Sequence, residues 1–503
     1  MLGVPLRVPP ALSAAWPLAA VALYGVAQLL LLLYASHRYL VLARWWRSRG
    51  RALELPDPPA ASLPVVTVQL PVYNERLVVE RLVDAVAALD YPRERLEIQV
   101  LDDSTDETSR LAAAAVARHR ARGLDIHHLR RAGRPGYKAG ALAAGLARAR
   151  GEWIAVFDAD FVPPPGFLRR AARHFAAPGL GMVQARWGHL NRDASLLTAA
   201  QAVLLDSHFL LEHASRMACG LFLNFNGTAG VWRRACIVDA GGWSHDTLTE
   251  DLDLSYRAQL RGWRFAFDPG LVAPAELPGD LGALRSQQRR WAKGSIQTAR
   301  KLLARVWRAP LPAAVKLEAT LHLTANACYP LLLVLALLLA PVLLAAPRGP
   351  SWLAPALQAL VLLFGLLPSW AFLLIGQRAA GRRGRDAARD AGAALLLAAG
   401  LCVVNARAVL EGLGRRVGDW ERTPKSGEGL PAPARPRYRS ARGAPGVLEL
   451  ALALALAGVG VLALRVGEPR AFAFAVLMAT GLGAVGVGSL RARLASRPAR
   501  RTG

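Results

Sequence analysis

The sequence predicts an α/β domain of the doubly wound kind, inserted between transmembrane helices, and three observations carry that prediction. Long, almost purely apolar runs stand toward the two ends of the 503-residue chain and not in its middle. Residues 58–308 instead alternate short β-rich segments with helical ones and carry nearly all the acidic clusters. The polar motifs of this middle part follow directly on apolar strands, the edge at which such sheets bind ligands.

The first apolar run, Trp16–Tyr34, has the length of a bilayer core. Only Arg7 precedes it as a basic residue, no small-residue cleavage site follows, and Arg38, Arg44, Arg47 and Arg49 come next. Residues 1–50 are therefore expected to be an uncleaved anchor with its C-terminal end inside. In the middle, Val65–Leu70 reads as a buried strand, Arg76–Leu89 as a helix, Leu96–Leu101 as a strand, Ser109–Arg122 as a helix and Trp153–Phe157 as a strand. Apolar runs return at Leu321–Ala345, Leu353–Ile375, Ala391–Leu410, Val447–Leu464 and Ala471–Leu490, so 309–503 is expected to be a membrane domain. If all five crossed, the basic loop Glu411–Gly446 would fall outside, against the positive-inside rule. The Ala/Gly-rich run Ala391–Leu410 is therefore expected to be interfacial or re-entrant, which leaves five crossings and puts every arginine cluster inside. The alternative is six crossings with one exception to the rule. Ser426–Gly446, rich in Pro, Gly and Arg, reads as a flexible cytoplasmic loop.

The formal charge of +26 does not point to nucleic acid, because no basic helix with interleaved aromatics, zinc spacing or RNA-binding signature accompanies it. Its arginines cluster beside apolar runs, at Arg44–Arg51, Arg378–Arg389, Arg435–Arg442 and Arg491–Arg501, as expected beside anionic lipid headgroups. Cys219, Cys236, Cys328 and Cys402 lack paired spacing, so neither a disulfide framework nor a zinc site is expected, and they read as inert, buried thiols.

Six motifs carry chemistry. Asp102 and Asp103 end the second strand, where a carboxylate can accept from a nucleobase or equally cap a helix. Asp158 and Asp160, one residue apart after an apolar strand, can share a hard divalent cation, Mg²⁺ or Mn²⁺, that neutralises a diphosphate. Gly136, Lys138, Ala139 and Gly140 open a helix whose lysine and free amides suit a phosphate, although such a lysine is more often simply solvated. Asn226, Gly227 and Gly230 suggest a tight turn with close backbone approach. Glu250 and Asp251 begin a helix after a threonine, as capping acids or as a general base that deprotonates an acceptor hydroxyl. Gln287, Arg290 and Trp291 fall on about one helical turn and combine hydrogen bonding with stacking, which suits a carbohydrate; snorkelling arginines on an interfacial helix are the alternative.

Taken in order, PVYNE at Pro71–Glu75, VLDDS, YKAGAL, FDADF, FNGTAG, TED at Thr249–Asp251 and QQRRW resemble family-2 glycosyltransferases of the cellulose, chitin and hyaluronan synthase type. VQARW at Val183–Trp187 and the stretch Phe225–Arg233 look closest to cellulose-synthase-like A mannan synthases and their bacterial relatives, over roughly Val65–Arg300. The resemblance implies a GT-A, Rossmann-like fold and an inverting, metal-dependent hexose transfer from a nucleotide sugar, GDP-mannose before UDP-glucose, to a glycan acceptor. It implies that Tyr73, Glu75, Asp102 and Asp103 face the nucleoside, Lys138 the diphosphate, and Asp158 with Asp160 the cation and donor. Asp251, beside Glu250, would be the base, and Gln287, Arg290 and Trp291 would shape the acceptor site. Trp420, Thr423 and Lys425 in WERTPKSG are similar to the family's gating-loop motif within 411–446, although Trp420 stands where the family usually has Phe. Nothing after Leu490 resembles a cyclic-di-GMP-binding domain, so that control is not expected. Two activities stay open: processive synthesis and secretion of a β-linked polysaccharide, or non-processive glycosylation of a lipid. A multi-pass protein of the bacterial inner membrane, with its catalytic domain in the cytoplasm, is the expected setting.

Overall fold

The computed structural model describes residues 10–50, 55–345, 359–418, 422, 423, 425, 427 and 446–494. Trp420, the Arg435–Arg442 cluster, the loop Ser426–Gly446 apart from Gly427 and Gly446, and the basic tail beyond Leu494 lie outside the described residues.

A long helix, α1 (Pro10–Ser48), leads into the α/β domain. The chain then runs β1 (Val66–Val72), α2 (Val79–Ala87), β2 (Leu96–Asp102), α3 (Thr108–Arg120), β3 (Asp125–Arg130), α4 (Tyr137–Arg148) and β4 (Trp153–Val156). It continues with α5 (Phe167–Ala172), β5 (Leu180–His189), α6 (Leu196–Ser207), α7 (Ala214–Ala218), β6 (Gly230–Arg233), α8 (Arg234–Asp239), α9 (Glu250–Leu260) and β7 (Arg264–Ala275). The seven strands form one sheet in the order β3-β2-β1-β4-β6-β5-β7. Strands β3, β2, β1 and β4 are mutually parallel, whereas β6 runs antiparallel to both β4 and β5. The sheet is therefore mixed rather than wholly parallel.

Every residue of β2 is buried, and six of seven in β1, because helices cover both faces, as a parallel sheet requires. On one face Val66, Val68 and Leu70 pack with Leu82, Val83 and Val86 of α2 and with Ala112 and Ala115 of α3. On the other, Ile154 and Val156 pack with Leu142 and Leu146 of α4. The helix expected at Arg76–Leu89 begins only at Val79, because Asn74 takes a left-handed φ of 56° and the chain turns through Glu75–Val78 first. Cys219 is exposed at the end of α7 and Cys328 is half-buried, against the expectation that all four thiols are buried.

After the domain come α10 (Leu281–Arg308), α11 (Ala313–Leu323), α12 (Cys328–Ala345), α13 (Ala359–Ala379), α14 (Gly384–Gly400), α15 (Cys402–Leu413), α16 (Val447–Arg465) and α17 (Pro469–Leu494). Among the described residues five helical segments are long and apolar enough to cross a bilayer, in α1, in α12 with the turn before it, and in α13, α16 and α17, which supports a membrane protein. Helices α14 and α15, which contain the run Ala391–Leu410, meet at a 51° bend. Neither reaches the length of a full span alone, so this run is either a broken span or a re-entrant pair.

Candidate active site

Register brings the motifs to one edge. Val72 pairs with Asp102, and Gln69 with Val156, so the residues after β1, β2 and β4 emerge side by side. Gly230 opens the reversed strand β6 opposite Val156, which carries the turn Asn226–Ala229 to the same edge. The resulting cleft spans about 1230 Å³, the open solvent at its mouth included. Its walls include Tyr73, Glu75, Asp103, Lys138, Asp158 and Asp160 together with Glu250, Asp251, Gln287, Arg290, Trp291, Thr423 and Lys425. Three non-glycine residues among those described have positive φ, Asn74, Tyr137 and Ala229, and each belongs to a motif at this cleft. Each such conformation costs about 1–3 kcal/mol, and such strain concentrates at functional sites.

The charges are paired across elements. Lys138 Nζ lies 2.6 Å from Asp158 Oδ1 and donates to Gly227 O at 2.9 Å. Burial lowers the Lys138 pKa, but Asp158 and Glu250 outweigh it, and the net shift is upward. Lys425 Nζ sits 2.8 Å from Asp160 Oδ2, and Arg422 Nε 3.5 Å from Glu75 Oε1. Burial pushes Glu75 up to about 8 against the pull of Arg422 and Lys425, and it raises Asp160 as well. Asp251 is pushed up to about 7, first by burial and then by Glu250, which burial also raises. A carboxylate poised near neutrality can take a proton from a hydroxyl.

Asp160 Oδ1 and Glu75 Oε2 are buried without a hydrogen-bond partner. Hard carboxylate oxygens of this kind fit Mg²⁺ or Mn²⁺. No cluster of three or more His, Cys, Asp or Glu side chains suited to a metal occurs among the described residues. Asp158 and Asp160 would thus share a cation with water and phosphate oxygens, as Mg²⁺ sites do.

Helix α10 organises the far wall. Gln297 Oε1 accepts from Leu248 N, and Thr298 Oγ1 lies 3.2 Å from Thr249 Oγ1, so α10 fixes the turn that starts α9 and presents Glu250 and Asp251. Gly294 permits this approach: a Cβ there would lie 2.5 Å from Thr249 Cγ2. The same helix presents Gln287, Arg290 and Trp291 to the cleft, and Arg290 reaches Thr423 Oγ1 at 3.4 Å.

Asp102 departs from the expected set. Its side chain is fully buried, accepts from Ser104 N at 2.8 Å and pairs with His128 at 2.9 Å, so it ties β2 to β3 and neither lines the cleft nor caps a helix. Asp103 does line the cleft, paired with Arg131, whose Nε donates to Oδ1 at 2.9 Å. Arg134 lies over the Tyr73 ring, 3.4 Å from its centroid. Arg131 and Arg134 had a signal, since they stand in RRAGRPGYK just before Lys138. Trp187 of VQARW also lines the cleft, a flat apolar surface suited to a sugar ring.

The chain is similar to known proteins. Residues 64–294 match the family described as glycosyltransferase like family 2. Glucomannan 4-beta-mannosyltransferase 2 of Arabidopsis thaliana is 43% identical over 254 residues, 50% of this chain and 48% of that protein. Glucomannan 4-beta-mannosyltransferase 1 of Oryza sativa subsp. japonica is 40% identical over 258 residues, 50% of each chain. The chain thus spans about half the length of the curated relatives it matches. A mannosyltransferase from Pyrobaculum calidifontis, solved with GDP-Man and Mn²⁺, superimposes with a TM-score of 0.48 at 24% identity, covering 71% of this chain and 97% of that one. The ordered motifs and the cleft fall within the segment that matches this family, residues 64–294, which lies between helices apolar enough to span a membrane.

Proposed function

We propose that the chain is an inverting hexosyltransferase that moves a sugar, mannose from GDP-mannose before glucose from UDP-glucose, onto a growing β-linked polysaccharide and secretes it through its own membrane domain. The observation that carries this reading is the convergence in one cleft of a buried carboxylate poised near neutrality, Asp251, a lysine, Lys138, and a polar and aromatic wall on α10. The identity of about 40% to glucomannan mannosyltransferases supports mannose over glucose.

In this mechanism Tyr73, Glu75 and Asp103 hold the nucleoside, and Lys138 meets the diphosphate. Asp158 and Asp160 would hold Mg²⁺ or Mn²⁺, which when bound neutralises charge on the leaving diphosphate. Gln287, Arg290 and Trp291 orient the glycan acceptor. Asp251 takes the proton of the acceptor hydroxyl as its oxygen attacks the anomeric carbon from the face opposite the diphosphate. The bond to the diphosphate oxygen breaks with its electron pair, and a single displacement inverts configuration. By the resemblance, Trp420, Thr423 and Lys425 belong to a gating loop.

The arginines beside the apolar runs support a multi-pass protein with an anchor at 1–50, a cytoplasmic domain at 58–308 and a membrane domain at 309–503. The curated relatives named above are plant proteins and lend no support to a bacterial inner membrane. The deciding experiment is a donor screen on membranes containing the protein, with Mg²⁺ or Mn²⁺ and labelled GDP-mannose, UDP-glucose or UDP-N-acetylglucosamine. Label from GDP-mannose in a mannanase-sensitive polymer is the expected result. Label confined to lipid would replace the processive reading with a glycolipid-forming one, and no transfer from any donor would overturn both.

A further inference from the structure

Asn226, in the turn that accepts from Lys138, is held by a run of polar contacts that leaves the cleft and ends on the N-terminal membrane helix. His208 Nε2 lies 3.0 Å from Asn226 Nδ2, and its Nδ1 lies 2.8 Å from Glu212 Oε2. An ionised carboxylate only accepts, so in the neutral ring Nδ1 carries the proton and Nε2 accepts from the Asn226 amide. That polarity fixes which end of the amide faces His208.

The run continues outward. Arg216 lies 3.7 Å from Glu212 and 3.2 Å from Glu318, and the side chains of Arg216 and Glu318 are 3% and 1% exposed. The other oxygen of Glu318 meets His37 at 2.9 Å and Arg44 at 2.6 Å, both on α1. Burying the charged pair Arg216–Glu318 is costly, and packing alone does not require it. Between α6 and α7 the helix widens to a π turn over His208–His213, a departure that concentrates at functional sites.

We propose that Glu318 is a positioning residue that couples the seating of α1 in the membrane to the placement of the Asn226–Gly227 turn, acting through Arg216, Glu212 and His208. The coupling matters because Gly227 O accepts from Lys138 and a Cβ at Gly227 would lie 2.9 Å from Asp251 Oδ2, so a small shift of the turn displaces both groups.

The test uses the full chain in lipid nanodiscs and four variants: Glu318→Gln, His208→Ala, the double variant, and His37→Gln combined with Arg44→Gln. Hydrogen exchange of the segment 224–231 is the primary readout, and kcat and donor KM per folded molecule are the second. The turnover arm rests on the hexosyltransferase reading; the exchange arm does not, so a protein that transfers no sugar still tests the coupling. Each variant is expected to speed exchange of the turn about tenfold while β1 stays protected, the pattern of local rather than global opening. Turnover is expected to fall about tenfold with donor KM within about twofold, and the double variant to be no worse than its worse parent, since both act on one route. Unchanged exchange at the turn in a folded variant, or losses that multiply in the double variant, would overturn the proposal. Should Glu318→Gln not fold, His208→Ala and the α1 variant decide by the same exchange criterion.

Discussion

Gly227→Ala is the sharpest perturbation of the catalytic arrangement. Gly227 has φ +85°, and a Cβ there would lie 2.9 Å from Asp251 Oδ2 and 3.5 Å from Lys138 Nζ. The left-handed backbone costs an alanine roughly 1–2 kcal/mol, a modest loss of stability. The contact with Asp251 is the larger matter, because 2.9 Å forces the carboxylate to move. Asp251 has little freedom to yield: Oδ1 accepts from Leu252 N at 2.9 Å, and its carbonyl accepts from Ser255 Oγ. Misplacing a reacting group by about 1 Å costs on the order of 100-fold in rate, or about 2.7 kcal/mol of barrier. Membranes carrying Gly227→Ala, assayed for hexose transfer at saturating donor, should therefore show kcat down about 100-fold. Binding of the nucleoside alone should change little, since Tyr73, Glu75 and Asp103 are untouched. A folded Gly227→Ala protein with wild-type kcat would refute the placement of Asp251 as the base.

Asp251→Asn removes the proposed base and should lower transfer by about 100- to 10,000-fold while membrane insertion is unchanged; an active variant would sink the assignment. Because burial and Glu250 raise Asp251 to about 7, the proton must be lost before the group can act as base. In the wild type, kcat/KM should consequently fall as pH drops through that value, roughly tenfold per unit below it, and a profile flat from pH 5 to 8 would speak against it. Chelation with EDTA should abolish transfer by at least about 100-fold and added Mn²⁺ should restore it, if Asp158 and Asp160 hold the cation; Asp160→Asn should weaken Mn²⁺ binding measured directly. Trp291→Ala should raise the acceptor KM about fivefold, about 1 kcal/mol of lost stacking, with donor KM unchanged.

The pairing pattern of this site follows a simple rule. Motifs carried at strand ends or helix starts were legible, because strand register and helix caps are local. Asp158 and Asp160 after β4, Lys138 at the start of α4 and Asp251 at the start of α9 all line the cleft. The motif Gln287, Arg290 and Trp291 was legible because spacings of three and four share a helical face. Asp103 lines the cleft and Asp102 does not, because adjacent residues of a strand point to opposite faces, and the chain alone does not say which face the cleft adjoins.

The sequence by itself determined the α/β domain, its apolar flanks and the order of its motifs, since each rests on hydropathy and periodicity within a few residues. The tertiary structure decided which charges meet. Lys425 reaches Asp160 and Arg216 reaches Glu318 across separations of 265 and 102 residues, and Arg134 covers Tyr73. It also decided that β6 reverses and so delivers the Asn226–Gly227 turn to the catalytic edge. Such pairings depend on how whole layers pack, and a long-range ion pair leaves no periodic trace in the chain that forms it.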